Sequence, residues 1–282
     1  MTGKVTVQAV QRMKGEGRKI VAVVAWDCQL AAIADRAGAD IVSAGDSVGV
    51  NLWGQRSPLE VTMEQMVLVC RAVRQGVSRA LVSADIPFGP VQEGTGSAVR
   101  AAVRLVKEAG ADLVKIDDAA SFPAAVAAVT AAGIPVWAQF GITPQTAPRY
   151  GLEQGAVTAA LGTVPAGMAG EFAAEAKALQ SAGAALLDFT NSGPAAGAEV
   201  TRAAAIPVLG GAGGGPWLDG RIRMGHAAIG YAASALDREP DTYANVARVT
   251  LDALTAFAAD VRAERPIRGD ARRPPGAGRA PE

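Results

Sequence analysis

The chain has 282 residues, half of them hydrophobic, with 27 Lys+Arg against 27 Asp+Glu and a single histidine, His226. The even charge argues against a nucleic-acid or anionic-membrane partner, and one histidine excludes multi-His zinc sites and HExxH motifs. No apolar run reaches the roughly 18 residues that a membrane span needs, and the length fits one large α/β domain or two small ones.

Thr6 to Lys14 reads as a short helix with Val7, Val10 and Met13 on one face. Lys19 to Trp26 follows as a continuous apolar strand. Ala31 to Ala37 is a helix stopped by Gly38, and Ile41 to Ala44 is the next strand. Thr62 is a plausible N-cap for a helix running to Gly76. Leu81 to Ala84 is a strand, Ser97 to Glu108 a helix, and Leu113 to Ile116 a strand. Phe122 to Thr130 is an Ala/Val helix before the strand Pro135 to Phe140. Tyr150 to Gly170 has little periodicity and reads as a lid. Glu171 to Ser181 is a helix, Ala185 to Phe189 a strand and Pro207 to Leu209 another. An eighth strand is placed around Arg223 to Tyr231. Asp241 to Glu264 is a long final helix with Val246, Val249, Leu251, Leu254, Phe257 and Val261 as its apolar positions.

A helix ending in Ala-Gly and followed almost at once by a strand recurs at Gly38, Gly110, Gly133 and Gly183. Such β/α alternation with fully apolar strands implies a parallel sheet covered by helices. Seven or eight such units predict a (β/α)8 TIM barrel. The expected layout is a barrel with N-terminal and C-terminal helices over residues 1–265, and a solvated Pro/Arg-rich tail over 266–282. Cys28 and Cys70 are too few for a disulfide framework, which points to a reducing cytoplasm. No long apolar segment follows Met1 to Val5, which argues against a signal peptide.

In a barrel of this type the active site lies at the C-terminal strand ends. The polar residues there are Asp27, Asp46 and Ser47, Asp85, Lys115, Asp117 and Asp118, Gln139, Asp188 and the glycine loop Gly210 to Gly215. Any one acid after a strand can be the N-cap of the next helix. Asp46, Asp85 and Asp117 converging without a cation would repel, so together they point to a hard metal ion such as Mg²⁺. Lys115 is two residues before Asp117 and shares its side of the strand. A lysine aimed into a barrel needs a charge partner, and a substrate carboxylate or Asp117 would serve; a Schiff-base role is the rival reading. The glycine loop reads either as backbone N–H groups offered to an anion or as a flexible loop.

The chain resembles the ketopantoate hydroxymethyltransferase family, related in fold to the phosphoenolpyruvate mutase/isocitrate lyase group. The matching pieces include Ala25-Trp26-Asp27, Gly45-Asp46-Ser47-Val48-Gly49, Val61-Thr62, Ala84-Asp85-Ile86-Pro87-Phe88, Val114-Lys115-Ile116, Gly141-Ile142-Thr143-Pro144-Gln145 and Gly210-Gly211-Ala212-Gly213. The resemblance implies that Asp46 and Asp85 hold Mg²⁺, with Asp117 beside them. It implies that Ser47, Lys115 and Gly45 receive an α-keto acid. It also implies a one-carbon transfer from 5,10-methylenetetrahydrofolate to the carbon beside the ketone, and a homo-oligomer.

Against that pattern, Asp117 stands where a glutamate is expected, and Gln139 stands in place of a histidine. Asp188 stands for the glutamate that acts as general base. Asp188, Lys115 and Gln139 are therefore the expected catalytic set. The competing functions are a metal-dependent lyase, aldolase or C–C hydrolase on an α-keto acid, and a non-catalytic paralogue.

Overall fold

The computed structural model describes residues 3–143, 166–237 and 241–269. The chain divides into two compact units, Met1–Gly225 and His226–Glu282; the expected single domain ran on to residue 265. In the first unit eight parallel strands close into a barrel in sequence order. They are β1 (Ile20–Val24), β2 (Ile41–Ala44), β3 (Leu81–Asp85), β4 (Leu113–Ile116), β5 (Val136–Gly141), β6 (Leu186–Thr190), β7 (Val208–Gly210) and β8 (Gly220–Met224). The ring closes where Ile20 of β1 pairs with Gly220 of β8. The predicted (β/α)8 barrel is therefore the observed one.

Helices α1 (Val7–Gly15), α2 (Cys28–Arg36), α4 (Met63–Gly76), α5 (Thr95–Ala109), α6 (Pro123–Ala131), α7 (Ala169–Ser181) and α8 (Pro194–Ala203) belong to this unit, with a one-turn α3 (Val48–Asn51) after β2. Their starts follow from side chains that satisfy free backbone N–H groups. Thr62 accepts from the Gln65 N–H while Gln65 accepts from the Thr62 N–H, a reciprocal cap on α4. Asp27 accepts from the N–H groups of Gln29 and Leu30 at the start of α2. The ordinary reading of an acid after a strand is thus the observed one for Asp27. Gly110 and Gly133 sit at positive φ after α5 and α6, the left-handed stop the Ala-Gly phrase predicts.

The core runs through the strands and the inward faces of the helices, with Trp137, Phe140, Phe172 and Phe189 fully buried. Phe140 and Phe189 stack across β5 and β6 at 4.8 Å. The eighth strand lies at 220–224, earlier than residues 223–231, and neither α3 nor α8 was foreseen.

The glycine loop after β7 packs closely against its neighbours. A Cβ at Gly210 would sit 2.7 Å from the Phe189 carbonyl, and one at Gly213 would sit 2.7 Å from the Asn191 Cα. These glycines let the loop close against the end of β6, where Asn191 and Gly193 donate N–H groups to the carbonyls of Ala212 and Gly213. The expected lid lies outside the described residues as far as 165.

The second unit contains a helix, α9 (Val246–Arg262), capped by Asn245, which accepts from the Arg248 N–H. His226 lies in this unit, its ring edge-on to Tyr231 at 5.1 Å.

Candidate active site

Side chains alternate along a strand, so the residues that face the barrel interior repeat every second position. On β3 these are Leu81, Ser83 and Asp85; on β4, Leu113 and Lys115; on β5, Trp137 and Gln139; on β6, Leu186, Asp188 and Thr190. The register sets them side by side: Asp85 beside Lys115, Lys115 beside Trp137, and Gln139 beside Asp188. Two layers result. Asp46, Ser47, Asp85, Asp117, Gln139 and Thr190 are half-buried. Lys115 and Asp188 are buried, at 6% and 2% exposure.

The Asp46 N–H donates to Asp85 Oδ2 at 3.2 Å, which joins the ends of β2 and β3. Gly45 makes that approach possible, because a Cβ there would lie 3.0 Å from Ser47 Oγ and 3.1 Å from Val24. Ser47 begins α3 without a capping bond from its side chain, so its hydroxyl is not spent on the helix. Asp117 Oδ1 accepts from the Asp118 N–H at 2.6 Å, and Thr143 also bonds the Asp117 carboxylate.

In the buried layer Lys115 Nζ lies 2.5 Å from Asp188 Oδ2 and 5.1 Å from the centre of the Trp137 ring. On the mouth side Gln139 Nε2 donates to Thr190 Oγ1 at 3.0 Å.

Charge is unbalanced here. Four carboxylates, Asp46, Asp85, Asp117 and Asp188, meet one ammonium. Burial, then Asp85 and Asp117, raises the Asp46 carboxyl well above its ordinary value. Burial also raises Asp85, against the pull of Lys115. Burial pushes Asp117 up to about 7. Burial by itself would lower Lys115, but Asp188 and Asp85 outweigh it and the amine is held protonated. That disfavours the Schiff-base reading, which needs a neutral amine.

These residues fit a hard divalent cation. The donors are all oxygen, Asp85 Oδ1 is buried with no hydrogen-bond partner, and the carboxylates repel until a cation joins them. Among the described residues no three acidic, histidine or cysteine side chains form a set that could hold a metal on their own. Asp117 already accepts from Thr143 and its own turn, while Asp46 and Asp85 are joined through the Asp46 N–H. Magnesium commonly takes one or two carboxylates and fills its other positions with water and substrate oxygens.

Sequence reasoning missed Thr190 and Trp137. Thr190 stands two residues beyond Asp188, and period-two alternation would have found it. Trp137 reads as ordinary core until the register places it beside Lys115.

The fold and this acidic mouth define a (β/α)8 barrel with its candidate site at the C-terminal strand ends. Among solved structures of similar fold, 2,3-dimethylmalate lyase, a member of the phosphoenolpyruvate mutase/isocitrate lyase superfamily, has TM-score 0.57 at 15% identity, covering 92% of this chain and 99% of its own. Phosphonopyruvate hydrolase, solved with oxalate and Mg²⁺, has TM-score 0.54 at 16% identity, covering 92% and 88%. Within that class the chain belongs to the ketopantoate hydroxymethyltransferase family, which it matches over residues 4–266. The 3-methyl-2-oxobutanoate hydroxymethyltransferase of Salinibacter ruber is 36% identical over 259 residues, 92% of this chain and 95% of the relative. That of Moorella thermoacetica is 36% identical over 262 residues, 92% and 94%.

Proposed function

We propose that the protein transfers a hydroxymethyl unit to the carbon beside the ketone of an α-keto acid, in the manner of its family. The observation that carries this reading is the joining of Asp46 and Asp85 at the mouth, directly beside a protonated Lys115. Asp46 and Asp85 would hold Mg²⁺ or a similar divalent ion, with Asp117 alongside. When bound, the metal polarises the keto oxygen and stabilises the negative charge that develops there. Lys115 and the Ser47 hydroxyl receive the substrate carboxylate. Gly45, without a Cβ, keeps the floor between them open. Gln139 offers an amide that hydrogen-bonds but does not titrate. The one-carbon donor in this reading is 5,10-methylenetetrahydrofolate.

The protein acts in this reading as a cytoplasmic homo-oligomer. Two observations support it. Cys28 and Cys70 are free thiols, and α9 carries Val249, Leu254 and Phe257 at 67%, 60% and 49% exposure in the single chain. No helix among the described residues is long and apolar enough to cross a membrane.

The test is hydrogen exchange. The protein is incubated in D2O with Mg²⁺ and a panel of α-keto acids, and loss of the C3 proton is followed by NMR, with and without the folate. Exchange that EDTA abolishes is the expected result. Binding without exchange for every keto acid would sink the reading.

A further inference from the structure

The buried layer holds a relation that the expected catalytic roles do not use. Asp188 is 2% exposed; its Oδ2 is engaged by Lys115 at 2.5 Å, and its Oδ1 is buried with no hydrogen-bond partner. The Trp137 indole, fully buried, covers Lys115 from β5. The Gln139–Thr190 hydrogen bond joins β5 to β6 on the mouth side of this pair. Thr190 is two residues nearer the C-terminal end of β6, about 6–7 Å along the strand. Along β6, Thr190 therefore stands between Asp188 and the mouth, and the charged group against Asp188 is Lys115. An ammonium this deep needs a partner, because an isolated buried charge is strongly disfavoured. The lysine stem has four rotatable bonds and will not hold one position unaided.

We propose that Asp188 is a positioning residue. Its carboxylate, with the Trp137 ring, pins the Lys115 ammonium beneath the mouth where the keto-acid carboxylate is received, and it does not take the substrate's proton. This rests on the reading above in which Lys115 receives that carboxylate. It replaces the sequence expectation of Asp188 as general base.

The test compares wild type with Asp188→Asn, using Mg²⁺ and 3-methyl-2-oxobutanoate. Affinity is measured by calorimetry, and C3 exchange in D2O is measured at saturating keto acid over a range of pH. Loss of a held charge weakens binding uniformly, whereas loss of a base lowers the saturated rate. The expected result is affinity weaker by about tenfold, with the saturated exchange rate within about threefold of wild type and its pH profile unmoved. Unchanged affinity overturns the inference. So does a saturated rate that falls by about a hundredfold or more.

If Asp188→Asn does not fold, Lys115→Met/Asp188→Asn removes both charges together and is compared with Lys115→Met alone. Equal affinities and equal saturated rates support the inference, since Asp188 then acts only through Lys115. A further drop in rate in the double variant overturns it. Absence of exchange in wild type would defeat the functional reading separately, while the affinity comparison still decides the role of Asp188.

Discussion

Asp85 joins several parts of the site: the Asp46 N–H on one oxygen, Lys115 beside it in the ladder, and a second oxygen with nothing to accept. Asp85→Asn is expected to weaken Mg²⁺ binding by at least about a hundredfold, read by calorimetry, while circular dichroism stays unchanged. Asp117 gives a pH signature. Its carboxyl titrates near 3.8 when unperturbed and is pushed up to about 7 in the fold. The folded state therefore holds the proton more tightly than the unfolded one. Stability from this source is full below about pH 4 and is lost as pH rises through about 7. Asp46 and Asp85 shift in the same direction. With EDTA present, Tm should fall between pH 5 and pH 8, and Mg²⁺ should restore it most at pH 8. No fall under those conditions would mean that the carboxylates are better solvated than the structure shows. Asp46 and Asp85 were legible in the sequence because each ends an apolar run, and Lys115 because it interrupts one. The Lys115–Asp188 pair was not, because it exists only once β4 and β6 stand in one ring.

At the level of elements, the strands read easily where both faces are buried and poorly where they are not. β8 alternates, with Gly220 and Ile222 buried and Arg221 and Arg223 exposed, so it lacks the apolar run that marked the others. Arg221 bonds outward to the carbonyls of Gly210 and Gly211. Helix α8 escaped notice because Gly193-Pro194 at its start and Gly197 within it read as loop residues. Its buried face is Ala196, Gly197 and Val200, and a Cβ on Gly197 would lie 2.4 Å from the Trp217 indole. Gly197→Ala should displace Trp217, break its bond to Ser192 Oγ, and cost about 1–3 kcal/mol by overpacking. Urea denaturation measures this; a neutral outcome would show that Trp217 moves aside freely. Thr62→Ala should cost about 1 kcal/mol through loss of the α4 cap and leave keto-acid binding unchanged in the same calorimetric assay.

For the whole molecule, the proposed assembly is tested on α9. Leu254→Glu with Phe257→Glu should shift the protein to a smaller species in light scattering after size exclusion. An unchanged mass would remove α9 from the interface. The closure of the ring has a further consequence, in time rather than in space. Ala22 pairs with Ile41, but Ile20 pairs with Gly220. Closing a loop about ten times longer costs roughly 2 kcal/mol more chain entropy. A chain emerging from the ribosome makes β2 to β6, with every acid of the site, before the strand that completes the barrel exists. Until then the clustered carboxylates lack a closed wall to hold them together. Refolding should recover helix signal before it recovers Mg²⁺ affinity, so the ability to bind metal dates the last step of folding.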